Sequence, residues 1–178
     1  AIITDANGFD YLTDDHAGNT AYASLLGVTA GTTVFDEGII ERNTDLDYFA
    51  FATAPGTISL DIDPFYRDPN LDILATLYDA SGVALATSNP TGSLNATFNM
   101  SVDGGTYFIS VDGTGEGDLT SGYSDYGSLG YYSISGTILN SDLPGTHKAA
   151  VSLADTITDL DFGNWSNVAP VFADQTMS

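Results

Sequence analysis

The sequence contains no cysteine. Disulfides, thiolate zinc sites and a cysteine nucleophile are therefore excluded, and thiol usage says nothing about redox compartment. Basic side chains are almost as scarce: Arg42, Arg67 and Lys148 stand against 24 acids, giving a formal charge of -21 over 178 residues. Without Lys and Arg to neutralise phosphates, nucleic acid is excluded as a partner. An anionic membrane surface repels the chain for the same reason. No apolar run approaches the ~18 residues of a membrane helix, so direct membrane insertion is not expected. Ala1-Ile2-Ile3 lacks the pattern of a secretory leader. Helical periodicity is nearly absent, and neither HExxH nor GxSxG occurs; Gly122-Tyr123-Ser124-Asp125-Tyr126-Gly127 has one residue too many for the latter. Carboxylate pairs that fit glycoside hydrolysis are trivially available among so many acids, so they argue nothing. The chain is not expected to be an enzyme.

Apolar and aromatic residues, by contrast, are plentiful. At 43% apolar and 11% aromatic the chain can bury a core, which separates it from disordered acidic sequences. Its length suits one domain. Short alternating runs dominate, with 19 glycines as punctuation. Ile39 to Arg42 leads into Asp47-Tyr48-Phe49-Ala50-Phe51; strands are then expected at Thr57–Ile62, Ile73–Tyr78, Val83–Thr87, Leu94–Phe98, Thr106–Val111 and Tyr131–Ile138. Asp79-Ala80-Ser81-Gly82 reads as a hairpin turn, and Asn19 to Leu26 as a short helical turn or an irregular lead-in. Strands this close together with no helices between them predict an all-β antiparallel β-sandwich.

Of the 24 acids, 21 are Asp; the exceptions are Glu37, Glu41 and Glu116. Carboxylates at short spacing repel one another unless a hard cation joins them, and calcium takes about six to eight such oxygens. Asp68-x-Asn70-x-Asp72 places three oxygen donors at alternate positions, but it lacks the glycine and closing Glu of an EF-hand. The long loop from Asp112 to Gly130 adds Asp112, Glu116, Asp118 and Asp125, with Gly115 or Gly117 able to turn a carbonyl toward an ion. Together these form the first candidate calcium site. Tyr66, Glu116, Tyr123, Ser124 and Tyr126 lie beside it and are the candidate ligand-binding residues. Aromatic rings next to a metal give contact area, and their hydroxyls give direction. A peptide carboxylate is the ligand expected to complete the ion's coordination, with sugar hydroxyls as the rival. The bland alternatives are a solvated acidic loop and tyrosines that merely pack it.

Four stretches in order resemble one family. They are Asp14-Asp15-His16-Ala17-Gly18-Asn19-Thr20, Asn43-Thr44-Asp45-Leu46-Asp47-Tyr48-Phe49-Ala50-Phe51, Pro69-Asn70-Leu71-Asp72-Ile73-Leu74, and Gly105 to Gly113 continuing through Gly122 to Gly130. They are similar to the bacterial pre-peptidase C-terminal domain family, over about residues 10 to 140. The resemblance implies a jelly-roll-like, calcium-binding sandwich with no catalysis of its own. Such modules are appended to secreted proteases, or serve as peptide- or sugar-binding modules of giant calcium-dependent RTX adhesins. Nothing here resembles a protease, and Asn167-Val168-Ala169-Pro170-Val171-Phe172 resembles the opening of a cadherin-like repeat. The adhesin setting is therefore favoured.

The resemblance also implies a calcium ion where the lead-in segment meets the first core strand. There Asp5, Asn7, Asp10, Asp14, Asp15 and Asn19 precede Asp45 and Asp47, and Asp14, Asp15 and Asp47 are the expected ligands. Asp14-Asp15 reads equally as an exposed turn or a helix N-cap, and His16 and His147 read as surface or packing residues. The domain plan is a lead-in segment over 1–20, a sandwich over 21–140, added strands or a packed tail over 141–166, and a linker over 167–178. The expected role is a calcium-dependent ligand-binding module of a bacterial surface adhesin. It is extracellular, monomeric within a long multidomain chain, and binds protein or peptide. The alternatives are a carbohydrate-binding or substrate-targeting accessory domain of a secreted hydrolase, and a calcium-rigidified spacer.

Overall fold

The computed structural model describes Gly8 and residues 12–118 and 120–139. The added strands expected after residue 140, the cadherin-like stretch, His147, Asp5, Asn7 and Asp10 all lie outside the described residues.

Among the described residues, ten strands form two five-stranded sheets. They are β1 (Ser24–Leu25), β2 (Val28–Thr29), β3 (Thr33–Ile40), β4 (Leu46–Thr53), β5 (Gly56–Pro64), β6 (Ile73–Asp79), β7 (Ala84–Ser88), β8 (Ala96–Val102), β9 (Gly105–Gly113) and β10 (Gly130–Thr137). One sheet runs β1-β4-β9-β6-β7 and the other β2-β3-β10-β5-β8. All pairings are antiparallel except that of β1 with β4. Among the eight longer strands, early strands lie beside late ones: β3 by β10 and β4 by β9. That is the folded-over double Greek key of a jelly roll. No helix among the described residues is long and apolar enough to cross a membrane.

Alternation builds the core. Ile58, Leu60 and Ile62 on β5 point inward between polar neighbours, and Phe49 and Phe51 on β4 and Ile109 and Val111 on β9 are likewise buried in the core. Asp47 stands in phase with Phe49 and Phe51, so the period that fills the core also drives a carboxylate into its rim.

Two expectations are corrected, and one left open between alternatives is decided. The strand foreseen at Ile39 to Arg42 is β3, which begins at Thr33 and ends at Ile40. Asp36, Glu37 and Gly38 depress its local strand propensity, and eight-residue pairing with β10 overrides that. The strand foreseen from Leu94 begins at Ala96 and reaches Val102 along β5. Asn19 to Leu26 is not helical: Asn19 Oδ1 accepts from the Ala21 N–H (3.1 Å), and the chain then joins β4 as β1.

Pairing fixes which loops share an end. Leu46 and Leu74 both face Asp112, Gly130 faces Ile40, and Tyr132 faces Pro64. The 41–45, 65–72 and 113–129 loops therefore gather at one end of the sandwich, where the candidate residues also lie.

Candidate functional site

Carboxylates converge where the lead-in segment meets β4. Oxygens of Asp14, Asp15 and Asp47 lie within 4.8 Å of one another, as do those of Asp14, Glu41 and Asp45. These are the two such groupings among the described residues. Sequence reading had named Asp14, Asp15 and Asp47 and set Asp45 beside them; it missed Glu41. The missed signal is positional, because Glu41 directly follows the buried Ile39-Ile40 pair and ends a core strand.

Asp47 is 0% exposed and Glu41 7%. Asp47 Oδ2 accepts a 2.6 Å hydrogen bond from the Tyr132 hydroxyl, which crosses from the opposite sheet. Gly38 faces Tyr132 on β3, and a Cβ there would collide with the phenol, so glycine opens the path. Arg42 Nη2 donates to Glu41 Oε1 at 3.1 Å. The other oxygens, Asp47 Oδ1 and Glu41 Oε2, are buried and accept no hydrogen bond. Buried polar atoms are nearly always satisfied, so two orphans in one acidic cluster mark a place built for something else.

The electrostatics agree. Burial, joined by the charges of Asp45, Asp15 and Asp14, pushes Asp47 up to about 8 against the pull of the Tyr132 hydrogen bond. Burial, then the hydrogen bond and charge of Glu41, push Asp45 up to about 7. Burial also raises Asp15, which lies 3.7 Å from His16 Nε2. Burial opposes ionisation of Glu41, but hydrogen bonds from the Asp45 carboxyl, its own N–H and Arg42 hold it below the usual range. With no cation, the negative charge of Glu41 disfavours ionisation of Asp45. A hard cation replaces bound protons when carboxylates supply its oxygens. The donor set fits a metal ion: five carboxylates, two with buried free oxygens, no thiolate and no imidazole aimed inward.

His16 is structural, as the bland reading had it. Its Nε2–H donates to the Glu37 carbonyl (3.0 Å), Nδ1 accepts from the Ser24 hydroxyl (2.7 Å), and the ring packs 4.4 Å from Phe49. This anchors Asp14-Asp15 over β4.

The first candidate site is arranged differently. Asp72 is buried, and each carboxylate oxygen has a donor: Asn89 Nδ2 on Oδ1 (3.0 Å) and the Tyr123 hydroxyl on Oδ2 (2.8 Å). Ser128 Oγ and the Thr114 N–H hold its backbone. Asp68 and Asn70 are exposed. Asp118 caps its own turn, accepting from the Thr120 and Ser121 N–H groups and the Ser121 hydroxyl, and these bonds hold it below the usual carboxylate range. Glu116 receives the Gly92 N–H on both oxygens and pairs with Tyr123 as an isolated bridge. Gly115 packs so closely that a Cβ would collide with the Tyr123 carbonyl. Asp112 is half-buried and raised by burial, with the charge of Asp125 adding, while the Gly113 N–H opposes. Asp125 opens a 3-10 turn, Asp125–Gly127. The 113–129 loop is thus pinned by its own acids, and no three of its carboxylates converge.

That pinning shapes a cavity. Tyr123, Ser124 and Tyr126 line about 540 Å³ together with Pro69, Asn70 and Leu94. Tyr66 stands apart, packed on Phe65 at 4.7 Å. Burial, then the Asp72 hydrogen bond and charge, push Tyr123 up to about 12, so it stays a donor at neutral pH.

No protein-family model and no curated protein matches the chain. Among solved structures it is similar to the pre-peptidase C-terminal domain of a collagenase from Bacillus anthracis. The identity is 16% and the TM-score 0.46, over 64% of this chain and 92% of that one. It is also similar to PliG of Aeromonas hydrophila, a periplasmic inhibitor of g-type lysozyme, at 10% identity and a TM-score of 0.41, over 65% and 96%.

Proposed function

We propose that the chain is a calcium-dependent ligand-binding module of a secreted bacterial surface adhesin, taking protein or peptide and performing no catalysis. The observation that carries the calcium reading is the pair of buried, donorless oxygens Asp47 Oδ1 and Glu41 Oε2 among five carboxylates. Asp14, Asp15, Glu41, Asp45 and Asp47 would hold the ion. Bound there, calcium supplies positive charge that neutralises the cluster and ties the lead-in segment to β4. The peptide reading rests on the cavity between Tyr123 and Tyr126, where apolar walls meet tyrosine, serine and asparagine groups. A second ion held by the sequence-predicted donors Asp68, Asp112 and Asp125 would meet a ligand carboxylate. The sequence resemblance supports the surface setting.

A specific observation favours the spacer reading as the rival: Asp72, Glu116 and Asp118 already hold the loop together by themselves. A peptide array probed with calcium and again with chelator separates the two. Calcium-dependent capture of peptides, lost in Tyr126→Ala, supports the proposal; no calcium-dependent ligand leaves the spacer. Calcium at ~100 times its Kd should add about 2.7 kcal/mol to stability per site. A melting temperature indifferent to calcium removes the metal.

A further inference from the structure

Beyond the calcium cluster and the tyrosine cavity, the same end of the sandwich carries a group of aromatics around Tyr66, the candidate ligand residue that stands apart from that cavity. Phe65, Tyr66 and Tyr131 are 49%, 73% and 58% exposed. Their rings associate, Phe65 with Tyr66 at 4.7 Å and Phe65 with Tyr131 at 6.5 Å. Three large rings left together in water are unusual for a surface that has only ligand-free packing to satisfy.

Arg67 stands beside them. Its Nε donates to the Tyr66 hydroxyl at 2.8 Å, and its guanidinium lies 5.3 Å from that ring's centroid. Among the described residues no carboxylate lies within ion-pair distance of Arg67, although the chain has 24 acids. An arginine held by an aromatic ring and left without an acid keeps its fork of donors for something from outside. Next to it a hollow of about 170 Å³ is lined by Phe65, Arg67, Asp68, Asn70, Leu129 and Tyr131, among others. Pro64 and Pro69 bracket this loop, and Asp68 is held at φ +45 directly before Pro69. A non-glycine residue is uncommon there.

The geometry points to a subsite for an acidic sugar, a uronate residue of an anionic glycan. Aromatic faces receive the apolar C–H face of a pyranose ring, Arg67 pairs with its carboxylate, and Asp68 and Asn70 accept and donate to hydroxyls. A peptide strand is disfavoured because it would need main-chain partners, and the Phe65 N–H is already given to the Tyr131 carbonyl at 2.8 Å. A neutral sugar would leave the guanidinium unused. Arg67 thus confers an acid preference on a protein whose net charge otherwise repels anions.

The test is titration of the calcium-loaded chain with a glucuronate-containing disaccharide and with its neutral glucose counterpart, followed by calorimetry and amide chemical shifts. The expected result is binding of the acidic sugar, with shifts confined to residues 64–70 and 129–132. Arg67→Gln should weaken it about tenfold or more while leaving the melting temperature unchanged. Tyr131→Ala should weaken both sugars. Asp47→Asn and Tyr126→Ala should leave it intact, so failure of the calcium or peptide reading is visible separately. Equal binding of the neutral sugar, shifts mapping elsewhere, no binding, or indifference to Arg67→Gln would each overturn the subsite.

Discussion

Tyr132 gives its hydroxyl proton to one oxygen of Asp47 at 2.6 Å, and the other oxygen of that carboxylate has no donor. A core tyrosine from one sheet thus half-satisfies a buried acid from the other. Removing the hydroxyl leaves the acid with nothing. Tyr132→Phe should cost about 1–3 kcal/mol in denaturant titration. The loss should shrink in calcium if the ion takes over the freed oxygens; an equal loss with and without calcium would separate Tyr132 from the cluster.

Asp47→Asn should have opposite effects in two buffers. In chelator at about pH 9, above the value of about 8 to which burial lifts Asp47, it removes a buried charge that repels Asp45, Asp15 and Asp14, so the melting temperature should rise. In calcium it removes a ligand, so the increment that calcium gives the native sequence should vanish. A variant that melts lower than the native chain in chelator would contradict the charge-repulsion account.

The acids also set a pH dependence. Asp47, at about 8, and Asp45, at about 7, sit above the ordinary carboxylate value near 4. Between about pH 4 and 8 the folded chain therefore retains protons that the unfolded chain has released. Folding stability without calcium should fall as pH rises through that window. Calcium must displace the same protons, so its affinity should climb over the same range and binding should release acid. Melting curves from pH 4 to 9, with calcium and with chelator, should diverge as pH rises; parallel curves would sink this.

Gly115 and Gly122 control the tyrosine cavity. A Cβ on either would meet backbone across the Glu116–Tyr123 bridge, at the Tyr123 or the Glu116 carbonyl. Gly115→Ala should lose about 1–3 kcal/mol and loosen Tyr123 from Asp72, with ligand affinity falling further than stability. Hydrogen exchange at the Glu116 and Tyr123 amides would report the loosening directly.

Alternation made β5, β6, β9 and β10 readable, since Ile58-Leu60-Ile62 and Tyr132-Ile134 fill one face with apolar groups. The start of β3 was not readable, because Asp36, Glu37 and Gly38 look like a turn until β10 lies beside them. The lead-in acids were legible as a group, and Asp14, Asp15 and Asp47 do converge. Glu41 joins them only through the 41–45 turn, where its N–H meets Asp45 Oδ2 at 3.3 Å. In the long loop, spacing disclosed abundant oxygen donors but not that Asn89, Gly92 and Tyr123 would engage them. Those partners are distant in sequence, and only the fold supplies them.

The parallel pairing of β1 with β4 spans just two residue pairs, Ser24 with Phe49 and Leu25 with Ala50. So short a ladder resists little tension. Upstream of it, Asp14 and Asp15 meet the carboxylates that frame the start of β4. A pull arriving along the lead-in segment reaches that acidic contact before it reaches the ladder or the core. Were calcium bound there as proposed, the contact would act as a clasp under load; without an ion, only the carboxylates themselves meet. The ion's concentration would then decide how much force the module bears before its first segment peels away.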